Sequence, residues 1–223
     1  MPAAVRDLPP ETCAWIETVI AELEEAGVEV RLVDDEYADC SGYKVGGWYD
    51  ENTPEFVVAT ARPTQVWLSV FVHEYCHFRQ SQAETAAWTA KLRAGVCPQE
   101  AFDAWLAACV EMQPSQLADA VSLVIAMERE CETLALELVA RTPEIPVDRE
   151  RYTRSANVYL SWYGVVMRTR RWYDRAPYTA PELLDLVPGD RLLTVEEAMA
   201  PSEAFVDAIC TACYLPAGLR VVG

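Results

Sequence analysis

Between Thr64 and Gln82 the chain offers apolar residues on almost every side of a helix: Val66, Trp67, Leu68, Val70, Phe71, Val72, Tyr75, Cys76 and Phe78. A stretch of that kind is stable only as a helix enclosed by other elements, so any fold the chain adopts has to be built around it. The same stretch carries His73, Glu74 and His77 in the order H-E-x-x-H. Burying an unpaired ionisable group costs on the order of several kcal/mol, and a shared ligand would offset that cost. A spacing of four places both imidazoles on one helix face about one turn apart, where two nitrogens can reach one metal ion. Glu74 projects about 100° away, within reach of a metal-held water without itself being a ligand. The chain has only two histidines and both lie in this motif. Random placement would give their spacing with odds of roughly one in a hundred.

The elements around this helix follow from periodicity. Pro10 to Glu25 repeats Trp15, Ile16, Val19, Ile20 and Leu23 at helical spacing and stops at Ala26-Gly27. Three short β-branched or aromatic segments follow, around VEVRLV, YKVGGWYD and PEFVVATA, and predict a small sheet of about three strands. Beyond the buried helix, Ala83 to Val110 reads as an alanine-rich helical hairpin broken around Gly95 and Pro98. A long helix capped by Ser115 is expected to run to Arg141, and another from Val147 to Tyr173. The expected fold is α+β, mostly helical, in a single domain over 1–223. Its parts are 1–63 (helix plus sheet), 64–142 (metal-binding helices) and 143–223 (a C-terminal helical covering).

On the long helix, Leu117, Val121, Val124, Cys131, Ala135 and Leu138 define a buried stripe by 4-3 alternation, and the position that completes it is Glu128. Glu132, one turn on, borders the same face, whereas Glu130 points away. A carboxylate thus interrupts the core seam. The order H-E-x-x-H followed by a helical E-x-x-x-E resembles the gluzincin branch of zinc metallopeptidases. Together with Glu-x-x-Cys-Glu and Asn157-x-Tyr159-x-x-x-Tyr163, it also looks like small zincin-like proteins of bacteria and their phages.

The resemblance implies a zincin-like fold with Zn²⁺ held by His73, His77 and Glu128, Glu74 as general base, and Glu132 as the carboxylate that holds the first histidine. The residue after Phe78, usually hydrophobic in the family, is Arg79, and no third histidine is available to hold an oxyanion. Tyr159 and Tyr163 are the candidates for that role. Glu128, Glu132 and Cys131 stay open as the third ligand. Cys131 and Cys76 are read as buried packing groups beside the site.

The expected reaction is hydrolysis of a protein or peptide substrate lying along a sheet edge, with Phe56 to Ala61 as the candidate strand. Two alternatives are a non-catalytic binding or regulatory protein with a structural zinc, closed by a ligand such as Cys131, and a hydrolase of a small amide. With 35 Asp and Glu against 18 Lys and Arg, the net charge of -17 predicts neither nucleic acid nor membrane as partner. MPAAVRDLPPETCAW lacks the apolar core of a secretory signal, which predicts a cytoplasmic protein whose eight cysteines are thiols. Cys210-Thr211-Ala212-Cys213 reads as core thiols, and Arg168, Arg170 and Arg171 as a helix end. Oligomeric state is not readable from the sequence.

Overall fold

The computed structural model describes residues 3–40, 42–93 and 97–214. In chain order these form α1 (Ala3–Arg6), α2 (Pro10–Glu25), β1 (Glu29–Val33), β2 (Ala38–Cys40), β3 (Tyr43–Val45), β4 (Gly47–Asp50) and β5 (Glu55–Ala59). They continue with α3 (Thr64–Ala83), α4 (Ala86–Arg93), α5 (Pro98–Leu106), α6 (Pro114–Arg141) and α7 (Arg149–Thr169). A 3-10 turn (Pro177–Thr179), α8 (Pro181–Leu184), α9 (Val195–Met199) and α10 (Glu203–Cys213) close the order. The fold class is α+β and mostly helical, as expected. Two compact units are present: Met1–Thr85 with Cys131–Tyr152, and Ala86–Glu130 with Thr153–Gly223. Gly95 and residues 215–223 lie outside the described residues.

In the first unit, β1 pairs parallel and β4 antiparallel with β5, giving the order β1-β5-β4. Phe56, Val57, Val58 and Ala59 are all fully buried. Strands with both faces covered lose the alternation of a half-exposed strand, which is why PEFVVATA reads as a continuous apolar run. Phe56 meets Phe71 of α3 edge-on, with ring centroids 5.2 Å apart. Val57 and Ala59 form a cluster with Ala38, Val33 and Trp48.

Two sheet expectations are corrected. YKVGGWYD is not one strand: Tyr43–Val45 pairs with Ala38–Cys40 as a separate hairpin, and only Gly47–Asp50 joins the main sheet. A Cβ at Gly47 would lie 2.5 Å from the Val57 carbonyl oxygen and 2.9 Å from Val70 Cγ1. Gly47 thus allows α3 to close on the sheet. The segment Phe56 to Ala61 is not an edge either, because β5 is the central strand and both of its sides are paired.

Helix α2 has the predicted limits, with Ile16, Val19 and Leu23 buried. It ends as a glycine cap should, with Gly27 at φ +82° and the Val28 N–H donating to the Leu23 carbonyl at 2.9 Å. Helix α3 matches its prediction closely. Its polar residues Glu74, His77 and Gln80 are buried along with Trp67, Leu68, Phe71, Val72, Tyr75, Cys76 and Phe78. Arg79 is exposed and donates to the Tyr75 hydroxyl at 3.1 Å, so the departure at that position costs the helix nothing.

In the second unit, α6 begins at Pro114, so Ser115 lies within the first turn and is not its cap. Helix α7 begins at Arg149, in the first unit, where the Asp148 carboxylate accepts from the Arg151 N–H at 2.7 Å, and it ends at Thr169 in the second. Its predicted continuation to Tyr173 fails because Arg170 turns left-handed, at φ +50°. Arg170 then bonds the carbonyls of Trp105 and Val110 and the Glu111 carboxylate.

The proline-rich C-terminal segment is held by side chains of α6 and α7. Asn157, fully buried, donates to the Pro188 and Arg191 carbonyls and accepts from the Leu193 N–H, each at 2.8 Å. Arg154 donates to the Leu184 and Val187 carbonyls, and Arg129 to that of Leu193. The basic cluster is likewise occupied, since Arg168 pairs with Glu203 and Arg171 with Asp174. Of the C-x-x-C pair, Cys213 is buried but Cys210 is exposed. No helix among the described residues is long and apolar enough to cross a membrane.

Candidate metal centre

His73 and His77 stand one turn apart on α3, and their rings meet edge to face with centroids 4.6 Å apart. The two Nε2 atoms face each other at 3.1 Å. Both rings are gripped at the other nitrogen. His73 Nδ1 lies 3.1 Å from Glu132 Oε1, and His77 Nδ1 lies 2.9 Å from Gln80 Oε1. A carboxylate and an amide oxygen are acceptors only, so each Nδ1 carries a hydrogen, and in the neutral rings each Nε2 presents its lone pair. Two lone pairs held at 3.1 Å repel unless a proton or a metal ion sits between them. Zinc–nitrogen bonds of about 2.0–2.1 Å at a tetrahedral angle span about 3.3 Å between nitrogens, so the pair fits a metal of this kind.

Glu132 is almost fully buried and is held from its other side: the Tyr152 hydroxyl donates to Glu132 Oε2 at 2.6 Å. Burial first, and then the Glu132 charge, push the Tyr152 phenol well above its usual range, so it remains a donor. Cys131 is fully buried, its Sγ donating to the His73 carbonyl oxygen at 3.2 Å and lying 3.7 Å from His73 Nδ1. His73, His77 and Cys131 form a group whose donor atoms all lie within 4.8 Å of one another and could hold a metal ion. Within that group the thiol sits at the Nδ1 edge of His73, whereas the imidazoles face each other through Nε2. Cys76 is also buried, and burial, with the neighbouring Cys131 next, raises its thiol well above the usual range. Both thiols are therefore buried beside the histidines. Glu74, 8% exposed, follows His73 on the same turn.

The remaining expected residues lie in the second unit. Glu128 is buried and accepts from the Tyr163 hydroxyl at 3.2 Å, and the Tyr159 hydroxyl is 2.9 Å from that of Tyr163. Burial and the Glu128 charge hold both phenols well above their usual range. With one proton each, Tyr163 gives its own to Glu128 and Tyr159 gives its own to Tyr163. The pair as placed supports a carboxylate, and an oxyanion would have to compete for those protons.

Sequence reasoning missed Gln80 and Tyr152. Gln80 left a faint signal, a polar residue three after His77 on a helix with almost no exposed face. Tyr152 left another, seven residues before Tyr159 on the same helix. No family model, curated protein or solved structure matches the chain.

Proposed function

We propose that the chain is a zincin-like, zinc-dependent peptidase of the gluzincin type, acting on a peptide substrate. The observation that carries the reading is the pair of imidazole Nε2 lone pairs 3.1 Å apart, each ring fixed through Nδ1 by a buried acceptor. His73 and His77 hold the metal, and Glu128 is the third protein ligand inferred from the sequence. Bound zinc supplies a Lewis acid and lowers the pKa of a water to about 7. Glu74, next to His73 on the enclosed helix, takes the proton from the attacking water and delivers it to the leaving amine nitrogen. Glu132 keeps the His73 ring in the tautomer whose Nε2 is a ligand.

A second reading, a closed structural site, draws on the His73, His77 and Cys131 group. In that reading the Cys131 thiol gives up its proton on binding the ion, and with it the hydrogen bond to the His73 carbonyl.

The deciding experiment is metal analysis of purified protein before and after chelation, paired with Glu74→Gln. About one zinc per chain, with peptide hydrolysis lost and zinc retained in the variant, is the expected result. Equal hydrolysis by wild type and variant would end the general-base role, and metal-free protein that takes up no zinc would end the reading altogether.

A further inference from the structure

The chain of contacts at the first histidine does not stop at Glu132. Tyr152 Oη, Glu132 Oε2, Glu132 Oε1 and His73 Nδ1 form one line of hydrogen bonds, with links of 2.6 Å and 3.1 Å, and Tyr152 and Glu132 are each about 4% exposed. A carboxylate has one soft torsion that turns its oxygens, and a buried one is costly unless its lone pairs are occupied. The phenol at Oε2 fixes that torsion and leaves Oε1 aimed at the imidazole.

We propose that Tyr152 is a positioning residue for the metal centre, setting the orientation and tautomer of His73 through Glu132. Its bearing on metal affinity rests on the reading of His73 as a ligand, but its action on the ring does not. Tyr152 touches neither metal nor substrate and works only through Glu132. Removing its hydroxyl frees the carboxylate to rotate or to admit water, and the His73 ring loses its fixed donor geometry while His77, held by Gln80, keeps its own.

Two histidines make this directly observable. ¹⁵N NMR of metal-free protein at pH 8 resolves the two imidazoles. In Tyr152→Phe, the His73 ring nitrogens should shift toward mixed tautomers while those of His77 stay within the wild-type pattern. Zinc titration alongside should show affinity reduced about 10–100-fold, the range for partners that orient a metal ligand. In a Glu132→Gln background the same change should cost no more than about twofold further, because two residues acting through one path are not additive.

Unchanged His73 signals in a folded variant overturn the proposal even if its melting temperature falls, since a purely structural tyrosine would lower only that. Should the variant fail to fold, the wild-type spectrum decides. A slowly exchanging Tyr152 hydroxyl proton and a single Nδ1–H tautomer at His73 support the line of bonds, and a mixed-tautomer His73 refutes it. A wild type with the expected tautomers that binds no zinc would sink the peptidase reading and leave the action of Tyr152 on the ring standing.

Discussion

Replacing Cys131 by alanine separates the two ways of using this centre. Cys131 is fully buried, its Sγ bonded to the His73 carbonyl and close to the Nδ1 edge of that ring. If the thiol is packing, Cys131→Ala removes one sulfur and one weak hydrogen bond and leaves a small cavity, a loss of ~1 kcal/mol. For a chain of this size that lowers the melting temperature by about 2–4 °C. Zinc stoichiometry should be unchanged and affinity within about threefold of wild type. The assay is a circular-dichroism melt of metal-free protein, with zinc titrated against a chromophoric chelator. Glu128→Ala serves as the companion variant, expected to weaken zinc by at least about 100-fold, as befits a lost ligand, with Glu130→Ala near wild type. Loss of zinc in Cys131→Ala with retention in Glu128→Ala would refute the reasoning. The centre would then be a His-His-Cys site in which Glu128 is not a ligand.

Zinc affinity should fall as pH drops from 8 to 5, because each imidazole must be unprotonated to ligate. The decline should steepen below about 6.5, the ordinary imidazole value, and a flat profile by competition titration would argue against histidine ligation. At the alkaline end, burial and then the hydrogen bond to Glu22 raise Tyr75 from 10.0 to about 12. A folded-state pKa above the unfolded one means that this contribution to stability is complete below pH 10 and is lost as pH rises toward 12. Urea unfolding at pH 9 and 11 should show a loss in wild type that Tyr75→Phe lacks, and identical losses in both would refute the assignment.

What could be read from the sequence is what periodicity controls. Helix α3, the limits of α2 and the burial of Glu128 and Glu132 on α6 all follow from where apolar residues recur. The residues that escaped depend on contacts far apart in the chain. That β5 is central follows from a parallel pairing with β1 across a 26-residue offset, Glu29 to Glu55, which no local pattern encodes. The split of YKVGGWYD reflects two different partners, β2 for Tyr43–Val45 and β5 for Gly47–Asp50. Arg170 ends α7 because carbonyls of Trp105 and Val110 are there to receive it, 65 and 60 residues away. Tyr152 resembles any core aromatic until Glu132 is found 2.6 Å from its hydroxyl. The sequence fails where a side chain's role is set by its partner and not by its own periodicity.

The choice of partner at Glu132 has an electrostatic consequence. A buried carboxylate can be satisfied by arginine, which cancels its charge, or by neutral donors, which leave the charge in place. Glu132 receives a phenol whose pKa is pushed upward by burial and then by the Glu132 charge. Glu128, in its own unit, also receives a phenol. The other oxygen of Glu132 is directed at the His73 ring. Across that ring lies an Nε2 lone pair facing a second one. An anion behind the imidazole and two lone pairs in front of it both favour a positive charge at the same point. Had the protein needed only a packed core there, a leucine at 132 and a phenylalanine at 152 would have been the less costly solution. The burial of a carboxylate with a neutral donor makes physical sense when a cation completes the site, and the imidazole pair and the Tyr152-to-His73 line of bonds, which share the Glu132–His73 contact, support that reading together.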